Sequence, residues 1–598
     1  MARLTVAPAI VVLGAGALPV AERIRARYQG ATIHALAGRA EGDVAFSELG
    51  AHLRALYARG NPVVALCAAG IVIRCVAPCL ADKGVEPPVL AVAEDGSAVV
   101  PLLGGLTGVN LLAREIAETL GIAPAITTSG ELRFGACVLN PPEGYALADI
   151  GAGKRFVSDL LAGASTRVDG AAPWLEGVAL PVDAAGSHAI RVTPRRAGGA
   201  VSGELLIHPR SVVVALAEGF VHQAESLATP AQAADDETGG DPLARRILDS
   251  LAAADLSPLA LAALVAPRQC MREAALARAA RELGVPLRFV ASEADPDAAD
   301  ALLDAALAAG SIDASPAITL GDDDGRPSKS LAIAIAEAPV DANRLGQARG
   351  SLTVLGLGPG RADLLAPAAR LALAEATDIL GYATYVRMAG PFRADQRVHE
   401  TDNREELQRA RHAFELAAQG RRVAMVSSGD PGVFAMAAAV LEALDGAGEP
   451  AWDEVALEVV PGVSAAFATA AEAGAPLGHD FCVISLSDNL KPWSVIEERL
   501  ALAARADLVM AFYNPISKAR PWQLDRALEI LREIRAADTV VVLGRDVGRP
   551  GASLRSLTLG ELRAADVDMR TMVIVGSSKT RRFASAEREW IYTPRFYD

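Results

Sequence analysis

Leu355-Gly356-Leu357-Gly358-Pro359-Gly360 closes an apolar run that begins at Leu352. Run and loop together read as a buried parallel strand that ends in a glycine-rich turn. Further along, Val426-Ser427-Ser428-Gly429-Asp430-Pro431-Gly432 and Val459-Val460-Pro461-Gly462-Val463-Ser464-Ala465 take the same form. Three strand-to-loop punctuations in close succession are more specific than any one alone. In the first loop, Gly358 and Gly360 allow close backbone approach to a ligand, while Pro359 fixes φ and removes a donor. Such a loop suits the floor of a cleft better than a diphosphate cradle, although a plain turn would have the same composition.

Working outward, 598 residues are too many for one ordinary core and predict roughly three or four domains. Hydrophobic residues make up 51% of the chain and aromatic residues 4%, which suits Ala/Leu/Val-rich α/β domains. Net charge is −15, and neither half has the basic excess that a nucleic-acid backbone requires. No uncharged apolar run is long enough to span a membrane, and no signal peptide precedes the first strand-like segment. Six cysteines form no disulfide framework, so the expected compartment is a reducing cytoplasm. Cys67, Cys75 and Cys79 cluster without metal-ligand spacing and read as small buried hydrophobes.

Residues 1–140 alternate strand-like and helix-like segments: strands at Ala9–Leu13 and Val63–Cys67, helices at Pro19–Tyr28 and Leu111–Leu120, then a strand-like Ala123–Thr127. This predicts a helix-covered parallel sheet. A central region, 141–225, contains the strand-like Ser202–Ile207 and Val212–Ala217. Residues 226–242 read as a linker. A small Ala-rich α/β domain follows over 243–340, with a helix at Glu273–Leu283 and a strand at Leu287–Val290. The remainder, 350–598, reads as a two-lobed α/β enzyme divided near residue 470. Gly14-Ala15-Gly16-Ala17-Leu18-Pro19 imitates a dinucleotide fingerprint. It has Pro in the sixth place, and the next strand ends in Ala37-Gly38-Arg39 with no acid for a ribose, so a tight turn is the better reading.

The three loops together resemble the tetrapyrrole methyltransferase family. Gly381-Tyr382-Ala383-Thr384-Tyr385-Val386, Thr401-Asp402-Asn403-Arg404-Glu405-Glu406, Ser487-Asp488-Asn489-Leu490-Lys491-Pro492-Trp493 and Phe512-Tyr513-Asn514-Pro515-Ile516-Ser517 narrow the resemblance. They are similar to the precorrin-3B C(17)-methyltransferases, the ring-contracting branch of cobalamin synthesis. The resemblance covers nearly all of 350–583. It implies a two-lobed methyltransferase fold and S-adenosyl-L-methionine as cofactor, with precorrin-3B or a related anionic tetrapyrrole as substrate and dimerisation as a family expectation. Around the cofactor it implies Gly358, Pro359, Gly360, Ser428, Gly429, Asp430, Val433, Ser464 and Ala465, joined by Tyr513, Asn514, Gly544 and Val573 from the second lobe.

Ring contraction is assisted by removal of a hydroxyl proton, so a positioned base is useful. Asp488, His479 and Asp430 are the candidates, in that order. Their alternatives are a turn residue, a surface-loop residue, and a helix cap or cofactor ligand respectively. Arg387, Arg393, Arg404, Lys491 and Lys518 form a pool of cations for the substrate's carboxylates.

In the first half, Gly70-Ile71-Val72-Ile73-Arg74, Asp82-Lys83-Gly84, Pro101-Leu102-Leu103-Gly104-Gly105-Leu106-Thr107-Gly108-Val109-Asn110 and Ile126-Thr127-Thr128 resemble the cobalt-precorrin-5A hydrolase family. The family's central motif is Gly-His-x-Gly-Gly-Ala-Asn; here Gly105 stands in the His place and Thr107 in that of the following Gly. Loss of the imidazole removes the obvious proton-transfer group. The expectation is a degenerate, structural or substrate-handling module, with a bifunctional chain that retains hydrolase activity and a non-catalytic corrinoid carrier as the alternatives.

Overall fold

The computed structural model describes the chain apart from residues 1–6, 29, 81–85, 197, 199–201, 227–239, 292–297, 322–326, 391, 394, 402–405, 518–519, 586–587 and 597–598, with backbone alone at 223–226, 320–321 and 327–329. Asp82-Lys83-Gly84, Asp402 to Glu405, Lys518 and most of the 226–242 linker therefore lie outside the described residues. The chain divides into two compact units, Met1–Arg349 with Phe392–Asp395, and Gly350–Pro391 with Gln396–Asp598.

Among its described residues the first unit holds three sheets. The first has the order Val44–Phe46, Thr32–Leu36, Ala9–Val12, Val63–Leu66, Val89–Val92, Val99–Leu103, parallel except for the last strand. Ala9–Val12, Val63–Leu66 and Val89–Val92 are buried at every position, because helices cover both faces and each side chain meets a core. Helices occupy Leu18–Arg27 and Val109–Leu120, close to the positions read from periodicity. Ala123–Thr127 is not a strand: the antiparallel Val99–Leu103 occupies that edge of the sheet, and Ala125 only donates one hydrogen bond to Val99. At the Gly14 turn, the Glu94 carboxylate lies 3.3 Å from where a Cβ on Gly16 would sit. An anion there repels a phosphate, in accord with the failed fingerprint.

The central sheet has four strands in the order Tyr145–Leu147, Glu204–Pro209, His188–Val192, Thr166–Asp169. Val212–Leu216, which the sequence reading places in this region, is instead the middle strand of the third sheet. It pairs in parallel with Leu261–Pro267 and antiparallel with Pro327–Ile335. All five of its residues are fully buried, and only a central strand gives them two neighbours and two covered faces. The third domain thus begins at Val212, before the 226–242 stretch.

In the second unit, the first lobe is a fully parallel sheet in the order Arg397–Thr401, Asp378–Tyr382, Arg422–Ser427, Ser351–Gly356, Ala456–Val460. The second lobe is mixed, in the order Phe481–Ser485, Val509–Tyr513, Thr571–Val575, Val540–Arg545, Ser553–Thr558. Helix Ala465–Ala473 begins at the third glycine loop and packs Ala466, Ala470 and Ala473 on the second lobe's sheet against Val509, Val542 and Ile574. Buried Arg535 ties the second lobe together. Its guanidinium donates to the carbonyls of Ala504, Leu508 and Gly576 and pairs with Asp507 at 2.6 Å.

Candidate functional site

In the first lobe's sheet, Gly356 stands opposite Ser427 and Leu355 opposite Val460. Three parallel strands therefore end level, and their loops leave the sheet side by side. The carboxyl edge of such a sheet is where α/β proteins hold ligands. The Gly358 N–H donates to the Gly429 carbonyl at 3.1 Å, and the Gly429 N–H returns the bond to Gly358 at 2.8 Å. Both residues adopt positive φ, +68° and +69°. A Cβ on Gly356 would lie 2.3 Å from the Gly429 oxygen and 2.9 Å from the Gly462 nitrogen; one on Gly462 would lie 2.2 Å from the same oxygen. Only glycine lets these three backbones touch.

Asp430 clasps the arrangement. One carboxylate oxygen accepts from the Gly432 N–H at 2.8 Å, the other from the Gly462 N–H at 3.1 Å, linking the second loop to the third. It does not cap the next helix, which starts only at Met436. Ser464 does act as a cap: its hydroxyl accepts from the Phe467 N–H at the start of Ala465–Ala473. Its Cα is 3.6 Å from where a Gly429 Cβ would sit. From the second lobe, the Tyr513 hydroxyl accepts from the Ala466 N–H at 3.2 Å, and Asn514, at φ +51°, donates to Ser485 at 3.1 Å. These contacts tie Gly358, Gly429, Asp430, Ser464 and Tyr513 together, with Pro359, Gly360, Ser428 and Ala465 beside them in the same loops; Val433 donates to the Asp430 carbonyl, and Asn514 follows Tyr513 with its side chain on Ser485.

Gly544 and Val573 sit deeper in the second lobe's sheet. Gly544 lies within the strand Val540–Arg545, where an added Cβ would sit 2.4 Å from Thr469 of the overlying helix, so it is glycine to let the helix approach. Val573 is fully buried in the second lobe's core beside Phe512 and Leu543. Both take part in packing.

Asp488 follows the strand Phe481–Ser485 and accepts from Arg520 at 2.7 Å and from Gln523 at 3.2 Å. The Arg520 guanidinium holds its carboxyl below the usual carboxylate range, so Asp488 is anionic but a weak proton acceptor. His479 precedes that same strand. Five residues at about 3.3 Å each, roughly 17 Å of strand, separate it from the Ser485 end, so the structure does not bring it to the site. Its Nδ1 accepts from the Asp480 N–H. Among the cation pool, Arg393 is paired with Asp395 at 3.0 Å, whereas burial lowers the pKa of Lys491.

Two neighbours of the site escape motif reading. Phe434 follows the second loop with φ +53°, half its surface exposed, its ring 5.4 Å from that of Tyr513, and the Lys491 ammonium 5.9 Å from its centroid. A bulky residue in this region of φ is strained, and such strain clusters at ligand sites. Arg549, in the loop after Val540–Arg545, donates to the Pro359 carbonyl and to the Ser428 hydroxyl, each at 3.1 Å. The Gly548-Arg549-Pro550-Gly551 punctuation is the sequence signal that marks it.

In the first unit, a small cavity is lined by Gly105, Gly108, Asn110, Arg114, Glu131, Cys137 and Asn140. Buried Glu131 accepts from Asn110 at 2.7 Å and pairs with Arg114 at 2.7 Å. At Gly105 an added Cβ would meet nothing within 4 Å. Among the described residues, no group of three or more His, Cys, Asp and Glu side chains could hold a metal ion. Cys67, Cys75 and Cys79 are partly buried rather than buried, and the first two pack against the core of the first sheet. No helix among the described residues is long and apolar enough to cross a membrane.

Glycine loops that meet at a parallel sheet edge, facing a second mixed-sheet lobe, agree with the family description Tetrapyrrole (Corrin/Porphyrin) Methylases, which matches residues 351–563. The chain belongs to that family, whose members use S-adenosylmethionine. A precorrin-3B C(17)-methyltransferase from Sinorhizobium sp is 53% identical over 249 residues, covering 42% of this chain and 97% of that protein. The cobalamin biosynthesis protein CobIJ of Mycobacterium bovis is 48% identical over 252 residues, 42% of this chain and 48% of its own length. A crystal structure of the methyltransferase CobJ is 52% identical and covers 41% of this chain and 100% of that one, with a TM-score of 0.39. A second description, Cobalamin synthesis G N-terminal, matches residues 51–131.

Proposed function

We propose that residues 350–598 transfer a methyl group from S-adenosylmethionine to carbon 17 of precorrin-3B, with contraction of the macrocycle to precorrin-4. The observation that carries this reading is the three-loop floor, where Gly356, Gly429 and Gly462 touch through backbone alone. That floor fits the cofactor: positive-φ glycines leave room beside Ser464 and Ala465, and the Tyr513 side of the second lobe closes on it. The cofactor supplies an electrophilic methyl, so the protein's main task is to hold two reactants in line. Gly358, Gly429, Ser464 and Ala465 would hold the cofactor against the sheet edge, with Asp430 fixing the spacing of the loops. Asp488, kept ionised by Arg520, is suited to orienting a substrate hydroxyl through a hydrogen bond, and only weakly to taking its proton. The test is incubation of the purified chain with labelled S-adenosylmethionine and precorrin-3B. Product mass should rise by one methyl, and absence of label in the macrocycle would refute the proposal.

For the first half we infer a module without lactone hydrolysis. Gly105 offers no acid or base where the hydrolase motif has histidine, and the nearby Glu131 is engaged by Asn110 and Arg114. Acetaldehyde release from a lactone-bearing corrinoid by the full chain would overturn this. Residence in the cytoplasm and self-association as a dimer are part of the same proposal, checked by fractionation and by sedimentation.

A further inference from the structure

We infer that Arg549 is a substrate-anchoring residue, which takes a peripheral carboxylate of the macrocycle at the seam between the two lobes of the methyltransferase unit. The inference rests on the tetrapyrrole reading above and adds a named contact to it.

Arg549 belongs to the second lobe, yet both of its side-chain hydrogen bonds reach loops of the first: Nε donates to the Pro359 carbonyl and Nη2 to the Ser428 hydroxyl. Both acceptors are neutral. Among the described residues no carboxylate forms an ion pair with it, and the acids around it are already engaged. Asp546, whose backbone carbonyl accepts from the Arg549 N–H, has its carboxylate between Arg545 at 3.4 Å and Arg570 at 3.3 Å. Asp430 is held by two backbone donors. A half-buried guanidinium with a full charge and only neutral partners has unused N–H groups and an unmet demand for an anion.

Its place says which anion. Pro359 packs beneath the same loop: an added Cβ on Gly548 would lie 2.8 Å from the proline ring, and one on Gly360 would lie 2.8 Å from the Arg549 side chain. The guanidinium is therefore fixed over the first glycine loop, and its charge reaches Tyr385, which lies in the helix Ala383–Ala389 after the strand Asp378–Tyr382. The cofactor carries one carboxylate as well, and the floor's Gly358, Gly429, Gly432 and Gly462 N–H groups are already bonded within the loops, so the S-adenosylhomocysteine arm of the experiment separates the two anions. A tetrapyrrole acid carries many carboxylates around its rim, and a planar fork bound at two neutral points leaves its remaining N–H groups for one of them. Because the residue spans two lobes, an anion bound there also holds the lobes at the spacing that the reaction needs.

Arg549 could instead be a strap that shapes the cofactor loops, and the experiment separates the two roles. Arg549→Gln and Arg549→Lys are compared with the wild-type chain for S-adenosylhomocysteine affinity by calorimetry, and for kcat and KM toward precorrin-3B. An anchor predicts that Arg549→Gln raises the macrocycle KM by about 10- to 100-fold, the loss expected for one charge-assisted hydrogen bond. Its effect on S-adenosylhomocysteine should be at least tenfold smaller, and Arg549→Lys should recover part of the KM. An unchanged macrocycle KM, or cofactor affinity that falls as far as substrate affinity does, overturns the inference. Wild-type turnover in the same assay keeps this outcome distinct from failure of the methyltransferase reading, in which the parent chain itself would be inactive.

Discussion

Replacing Gly356 by alanine puts one methyl group into the densest point of the loop floor. The Cβ would stand 2.3 Å from the Gly429 oxygen, and ordinary contact begins at 3.4 Å, so the overlap is 3.4 − 2.3, about 1.1 Å. The obstructing atoms are backbone, and the Gly462 nitrogen and Cα at 2.9 Å block escape in the other direction. Relief requires the second and third loops to move away from the first by about an ångström. Overpacking of this kind costs about 1–3 kcal/mol in stability. For activity the effect should be larger, since a displacement of about 1 Å in a positioned reactant lowers turnover on the order of 100-fold. Gly446→Ala is the control: Gly446 has φ −92° and its nearest obstruction is the Glu442 carbonyl at 3.4 Å. Calorimetry with S-adenosylhomocysteine and single-turnover methyl transfer should show Gly356→Ala impaired in both and Gly446→Ala close to the parent. A Gly356→Ala chain with parental affinity and turnover would show that the loops do not need their contact to hold the cofactor.

Asp488→Asn should lower methyl transfer while leaving S-adenosylhomocysteine affinity near that of the parent; unaltered turnover would exclude a role for the charge. Arg535→Ala removes a donor shared by the carbonyls of Ala503, Ala504, Leu508 and Gly576 and by Asp507, which keeps Ser578, and should destabilise the second lobe by about 1–3 kcal/mol, read by urea unfolding. In the first unit, burial pushes His34 down to about 4, with Nδ1 held 2.8 Å from His52 and Nε2 2.8 Å from Thr32. An unfolded histidine takes its proton near 6.5, so the folded state binds fewer protons between those values. Stability is complete above pH 6.5 and declines as pH falls toward 4, by up to about 3 kcal/mol in all. His34→Gln should flatten that part of the pH profile, and an unchanged slope would remove His34 as its cause.

Much of the architecture was legible along the chain because the physics behind it is local. Four-residue apolar runs such as Val63–Leu66, bounded by Gly, Asn and Pro, read as strands covered on both sides, and Gly14–Pro19 fails as a fingerprint on residue type alone. Ala123–Thr127 misled because an apolar segment beside a sheet looks like a strand until another segment takes the edge. Val212–Leu216 was recognised as a strand and placed with the wrong neighbours, since strand pairing lies outside any local window.

The same division runs through the site. The sequence by itself determined that Gly358, Gly429, Asp430 and Ser464 stand at strand ends, because glycine, proline and small polar residues after apolar runs are local signals. Only the tertiary structure decided what each one does. It made Asp430 a clasp between loops, gave Asp488 an arginine that depresses its pKa, put His479 at the far end of its strand, and buried Val573 in a core. It also brought Arg549 from the second lobe to Pro359 and Ser428, residues far from it in the chain. The physical reason is one of range. Backbone conformation is set by a residue and its immediate neighbours, whereas proton affinity, burial and electrostatic partnership are set by whichever atoms the fold delivers within a few ångströms.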